Sequence, residues 1–315
     1  MPAPAGSGRP VNLALFTHPA CLRHDPGAGH PEAPARLAAV LEALNLAFPQ
    51  LPWQEAPAAS REQIERAHSP ALFEALLGHP VHGRRQIDAD TAMSESSAEA
   101  ALRAAGAVVA GIDAVMAGRA RRAFCAVRPP GHHATRGEAM GFCLFNSVAV
   151  GARHALQHHG LQRVAVVDFD VHHGNGTQDI LWDTPGSLYI SSHQAPLYPG
   201  TGARSETGGA GRCLNLPLSA GCPSAEFRDA WRREVLPQLD AFRPQLILVS
   251  AGFDAHRLDP LASVDLDTGD YAWLTLELVD IAERHAHGRL VSALEGGYSL
   301  TALRECSVAH VGALQ

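Results

Sequence analysis

Short runs of nearly continuous apolar residues alternate along this chain with stretches in which apolar residues return every three or four positions. The first pattern marks strands buried on both faces, and the second marks helices that bury one face. Strands are predicted over 11–16, 123–127, 164–169, 187–191, 246–250 and 290–294. Helices are predicted over 33–48, 97–117, 146–159, 224–242 and 269–287. In the first helix Leu37, Val40, Leu41, Leu44 and Phe48 share a face, and Pro49 ends it. In the second, Leu102, Val109, Ile112 and Met116 point inward and Gly118 supplies the C-cap. This alternation predicts a single α/β domain with a parallel sheet covered on both sides. Two polar stretches, 78–97 and 194–212, are too long for simple connections and are expected to be functional rims or mobile segments. Residues 1–10 are expected to be a disordered tail and 11–315 the folded catalytic domain.

Composition narrows the function classes. The chain has 315 residues, 46% of them apolar, which is ample for one large core. No stretch of about 18 apolar residues suggests a membrane span, and the first residues lack the basic start and apolar run of a signal peptide. The expectation is a cytoplasmic protein with no membrane partner. The net charge is −7 and the largest basic cluster is Arg119, Arg121 and Arg122, which argues against direct nucleic-acid binding. Six cysteines are scattered without a CxxC pair, as expected of reduced thiols. All 25 basic residues are arginine, so Schiff-base chemistry and a lysine-dependent phosphate loop are excluded. Homo-oligomer formation is left open.

The candidate chemistry sits at the ends of four predicted strands. Arg128-Pro-Pro-Gly-His132-His133 follows the second, and Asp168-Phe-Asp170-Val-His172-His173-Gly-Asn175 closes the third. Ala251-Gly-Phe-Asp254-Ala-His256 follows the fifth, and Glu295-Gly-Gly-Tyr298 the sixth. Ligands of open α/β sheets bind outside the carboxyl ends of the strands, so these segments are expected to converge. Asp170 and His172 alternate on an extended chain and point the same way. With Asp254 they make a three-donor set with an open position, the requirement of a catalytic metal. Two carboxylates make the set oxygen-rich for Zn2+, so Fe2+ or Co2+ are expected substitutes. A lone aspartate at a strand end usually caps a turn, but so dense an ionisable cluster after an apolar run is costly unless paired or metallated. His132 and His133 suit a proton acceptor and its electrostatic support. Tyr298 follows a flexible Gly-Gly turn and can donate to an oxyanion, although a tyrosine there more often packs. The pair His158–His159 is read as a favourable charge at a helix C-terminus, without function. His18, His24, His30, His68, His79, His82, His285, His287 and His310 receive no role either.

Taken together, RPPGHHA at 128–134, GFCLFN at 141–146, DFDVHHGNGTQ at 168–178, SAGFDAH at 250–256 and EGGY at 295–298 resemble the histone deacetylase family, most closely its class II branch and bacterial amidohydrolase relatives. The resemblance implies the arginase/deacetylase fold, an eight-stranded parallel sheet flanked by helices. It implies Asp170, His172 and Asp254 as zinc ligands, His133 as general base and later acid, His132 as its electrostatic partner, and Tyr298 as the transition-state tyrosine. Asp168 is implied to orient His132, and Asn175 to orient His133. Gly141, Phe142 and Tyr198 match the walls of an acyl-lysine channel, with Tyr198 where phenylalanine is usual, and Leu261 matches its rim. Asp168, carbonyl groups around Asp170 and His172, and Ser191 resemble a structural K+ site. The implied reaction is hydrolysis of an acylated amine. The substrate is acetyl-lysine in a peptide or protein, or alternatively an acetylated polyamine, for which a rim carboxylate is expected; Leu261 is neutral, while Glu206 and Asp259 could supply one if either reaches the mouth. A non-catalytic binder of acylated lysine would need a damaged site. A binuclear arginase-like hydrolase would need further metal carboxylates.

Overall fold

The structure, a computed structural model, describes residues 11–315; the predicted tail 1–10 lies outside the described residues. Ten strands are present among the described residues: β1 (Val11–Thr17), β2 (Trp53–Glu55), β3 (Arg84–Gln86), β4 (Ala92–Ser94), β5 (Ala120–Cys125), β6 (Val164–Asp168), β7 (Ser187–Gln194), β8 (Cys213–Leu218), β9 (Leu246–Ala251) and β10 (Leu290–Leu294). Eight form one parallel sheet in the order β2-β1-β5-β10-β9-β6-β7-β8. The late strands β9 and β10 insert between β5 and β6. Four motifs far apart in sequence therefore end side by side at the centre of the sheet.

The apolar runs become strands because both of their faces are covered. Phe124 and Ser292 turn to one face, where His310 of helix Leu300–Leu314 meets them. Ala123, Cys125 and Val291 turn to the other, where Gly111 of helix Ser97–Met116 approaches so closely that a Cβ would touch their side chains. Helix Ser147–Gln157 lies beside that helix, and Gly151 presses on Val108 and Ile112. Asn146 caps it by accepting from the Ala149 amide at 2.9 Å. Asp267 and Asp270 form a capping box on helix Thr268–His285.

The two sheet strands that the apolar pattern did not predict, β2 and β8, are the two edges. Edge strands carry a weaker signal: β2 is largely exposed, and β8 includes Pro217. The predicted strand at 187–191 continues to Gln194, into the segment read as loop. The polar stretch 78–97 holds the antiparallel hairpin β3–β4. The helix predicted over 224–242 is interrupted by a π-turn at Trp231–Val235, just before Pro237, whose ring cannot supply a helical N–H. All six cysteines are buried and free. Among the described residues, no helix is long and apolar enough to cross a membrane.

Candidate active site

The carboxyl end of β6 sits between those of β9 and β7, with Asp168 in register with Ser250 and Ser191. The chain then turns through Asp170 and His172. One oxygen of Asp170 and one of Asp254 lie 3.1 and 3.2 Å from His172 Nδ1, and the three donor atoms fall within 4.8 Å of one another. Backbone amides fix both carboxylates. Val171 N donates to Asp254 Oδ1 at 2.8 Å, and Gly296 N to Asp170 Oδ2 at 2.8 Å. Gly252 and Gly296 leave the space these carboxylates fill; a Cβ at either would collide with them.

These donors fit a divalent cation. Asp254 Oδ2 is buried and makes no hydrogen bond, and the short approach of His172 lacks hydrogen-bonding geometry. An orphaned carboxylate oxygen inside a protein is costly, and a metal ion is the group that repays it. Burial opposes charge on His172, yet the Asp170 and Asp254 carboxylates beside it push its pKa up to about 10. The arrangement thus attracts positive charge to the point where three ligand atoms meet, leaving a further coordination position.

Two histidines stand beside this set with their rings 4.0 Å apart. His132 Nδ1 lies 3.1 Å from Asp168 Oδ2, which also accepts from the Tyr189 hydroxyl at 3.1 Å. Burial disfavours a charged His132, but the Asp170 and Asp168 carboxylates outweigh it and hold its pKa well above the ordinary imidazole value. His133 Nδ1 lies 2.8 Å from Asn175 Oδ1. Its pKa is pushed well below the ordinary value by burial, reinforced by the positive charge on His132 and His172. Two adjacent imidazoles therefore differ in character: one cationic, one neutral.

A cavity of about 240 Å³ opens above His172 and His133, lined by Gly141, Phe142, Tyr198, Leu261 and Tyr298 among others. Gly141 and Phe142 both take positive φ, 57° and 67°, and a Cβ at Gly141 would run into the His133 ring. Tyr298 is fixed by its amide, which donates to Asp259 Oδ2 at 2.7 Å, and by Arg36 stacked 4.9 Å from its ring centre. Burial raises its phenol pKa well above the ordinary value against the pull of Arg36, so the hydroxyl remains a donor.

The chain's likeness to known proteins agrees with this geometry. The histone deacetylase domain profile matches residues 30–314. The chain is 42% identical to the histone deacetylase-like amidohydrolase of Pseudomonas aeruginosa over 291 residues, covering 90% of this chain and 76% of that protein. It is 36% identical to a probable deacetylase of Archaeoglobus fulgidus, covering 91% of this chain and 81% of that one. The crystal structure of the HDA15 HD domain superposes with a TM-score of 0.91 at 36% identity, covering 96% of this chain and 88% of that one. The chain belongs to the histone deacetylase family. It is accordingly a hydrolase of amide bonds, built on the arginase/deacetylase fold.

In this deacetylase His133, Gly141, Phe142, His172, Tyr198, Leu261 and Tyr298 line the cavity, while Asp170 and Asp254 touch His172, Asn175 touches His133 and Asp168 touches His132. Glu206 and Asp259 do not line its mouth. Glu206 is held by Gln178 and by the Gly202 and Ala203 amides, while Asp259 is buried and accepts from Leu261 N and Tyr298 N. The carboxylate that does line the cavity, Asp90, was missed. Its only sequence signal was its place in the polar stretch 78–97. His30, given no role, bonds the Asp90 carbonyl at 2.9 Å and packs edge-on against Phe142 at 4.7 Å. Arg36 and Arg128 are likewise buried around Glu32, and Arg36 supports the Glu295–Gly297 turn by donating Nε to the Gly297 carbonyl at 2.5 Å and Nη2 to the Glu295 carbonyl at 2.6 Å. Nothing local in the sequence marks these long-range pairs.

Proposed function

We propose that this deacetylase hydrolyses the amide of acetyl-lysine in peptides or proteins, with Zn2+ held by Asp170, His172 and Asp254. The observation that carries the reading is a cavity of about 240 Å³ lined by the aromatic side chains Phe142 and Tyr198 together with His172, His133 and Tyr298. An extended methylene stem suits aromatic walls, and an amide suits the polar groups. The bound metal supplies a polarised carbonyl and a water of lowered pKa; Fe2+ or Co2+ are substitutes that the same ligands accept.

The remaining work falls to side chains. His133, neutral and held through Nδ1, takes the proton of the attacking water at Nε2 and returns it to the departing amine. His132, its pKa raised by the Asp170 and Asp168 carboxylates, supports the negative charge that develops beside it. The Tyr298 hydroxyl donates to the oxyanion. A structural K+ belongs to the same reading, held by Asp168, carbonyl groups around Asp170 and His172, and Ser191. It rests on resemblance, supported by the register that pairs Asp168 with Ser191.

An acetylated polyamine is the second substrate reading, and Asp90 favours it. Asp90 lines the cavity, and a carboxylate at that position suits a distal ammonium as well as a peptide amide. Acetate release from an acetyl-lysine peptide and from an acetylpolyamine, each with and without a chelator, separates the two. Chelator-sensitive release from the peptide is expected. Release from the polyamine alone would overturn the substrate, and no release from either would overturn the assignment of this cavity as a deacetylating site.

A further inference from the structure

A second cluster of ligating side chains lies where helices Ser97–Met116 and Ser147–Gln157 meet. Asp113 of the first faces His154, His158 and His159 at the end of the second, with one donor atom of each within 4.8 Å of the others. His154 Nε2 and His159 Nε2 approach the same oxygen, Asp113 Oδ1, at 2.7 and 2.8 Å. His154 and His158 are one helical turn apart and their rings stack at 4.7 Å. Gly160, at φ 66°, ends the helix and lets His159 fold back toward Asp113. A helix C-terminus accounts for one favourable cation. It does not account for three imidazoles converging on a carboxylate from the neighbouring helix.

The roles within the cluster are unequal. Arg66 donates to His154 Nδ1 at 2.7 Å, so the ring proton of His154 is on Nε2, aimed at Asp113. His154 is buried and orients the carboxylate; it is not free to coordinate. Glu62 neutralises Arg66 at 2.8 Å. His158 is exposed, and its ring makes no hydrogen bond among the described residues.

We infer that Asp113, His158 and His159 form a second metal site, selective for a borderline transition cation such as Zn2+, with His154 as the positioning residue for the carboxylate. One oxygen and two imidazole nitrogens suit that class of ion, and the exposed fourth position is left to water. Bond lengths of about 2.0–2.2 Å place tetrahedral ligand atoms roughly 3.3 Å apart, between the 2.8 Å that separates His159 Nε2 from Asp113 Oδ1 and the 4.8 Å within which all the donor atoms fall. The ion would staple the two helices on the far side of the sheet's reactive end. Asn146, at the opposite terminus of its helix, is the end that bonds the His132 carbonyl, and 11 residues of helix separate the two by about 16 Å.

The test is calorimetric titration of Zn2+ into enzyme whose catalytic site is already loaded, alongside thermal melting. One further equivalent is expected, with Tm raised by about 4 °C at a free-metal concentration 100-fold above Kd. His158→Ala, which removes no hydrogen bond, and Asp113→Asn should each weaken that equivalent at least tenfold while leaving acetate release unchanged. Asp170→Asn should lose the first equivalent and keep the second. Absence of a second equivalent in the wild type, or wild-type affinity for it in either His158→Ala or Asp113→Asn, overturns the site and leaves a hydrogen-bond clamp between two helices.

Discussion

Asn175 holds His133 by a single contact, its amide oxygen 2.8 Å from Nδ1. The amide nitrogen faces Met140 Sδ at 3.4 Å, so the oxygen is the end turned to the imidazole. That contact places the ring proton on Nδ1 and leaves Nε2 bare. His133→Ala should lower kcat by at least 10²-fold with the fold intact. Asn175→Ala should cost about tenfold, since an outer partner is worth roughly 10–100-fold. Asn175→Asp should restore orientation and raise the imidazole pKa, moving the acid limb of the kcat/KM profile to higher pH. An unmoved limb would mean that Asn175 does not set the protonation of His133.

Tyr298 is positioned by contacts that do not involve its hydroxyl: Asp259 on its amide and Arg36 over its ring. Tyr298→Phe should therefore leave the backbone and the metal ligands in place. The expected loss is about 10²–10³-fold in kcat, as for removal of an oxyanion donor, with KM little changed. A rise in KM alone would assign the tyrosine to substrate binding instead.

The proposed metal ligands Asp170 and Asp254 are packed against glycine backbone. A methyl at Gly296 would collide with the oxygens of both Asp254 and Asp170. Gly296→Ala should therefore release the metal, measured by elemental analysis of the purified protein, and abolish turnover together with it. Asp254→Asn should do the same by removing a ligand while relieving no clash. Full metal occupancy in both variants would place the ion elsewhere.

The sequence made the centre of this molecule legible and its periphery much less so. The six predicted strands are the inner six of the eight-stranded sheet, because burial on both faces writes a continuous apolar run. Their terminal motifs were legible for the same reason: Asp168, Asp170 and His172 directly follow Val164–Val167 and stand out against it. Edge strand β2 is largely exposed, and in β8 Asn215 and Pro217 interrupt the apolar run. Asp90 reaches the cavity from a hairpin whose register depends on tertiary packing. The Arg36–Glu32–Arg128 network joins residues up to 96 positions apart in its ion pairs, and no local pattern encodes such a distance.

Acid should weaken the fold in a window set by buried histidines. Burial lowers His68 and His193 to about 4, and His173 and His310 to about 3. Each is neutral in the folded chain and hydrogen-bonded; His310 bridges Thr275 and Ser292 at 2.7 and 2.8 Å. The unfolded chain protonates them near pH 6.5. Below that value the unfolded state binds more protons, so the stability these groups provide above pH 6.5 is lost progressively as pH falls toward their folded values. Two buried carboxyls, Asp259 and Glu295, are both raised to about 7 by burial and act in the opposite sense, but they are outnumbered. The urea midpoint should rise slightly from pH 8 to 7, as Asp259 and Glu295 take up protons in the folded chain, and decline from about pH 6.5 to 4.5, before most ordinary carboxylates titrate. His310→Gln should lower the midpoint at pH 7.5 and make the decline shallower, because one of the titrating groups is gone. A midpoint that rises between pH 6.5 and 4.5, or a decline as steep in the variant, would show that the buried carboxyls and not the histidines govern stability there.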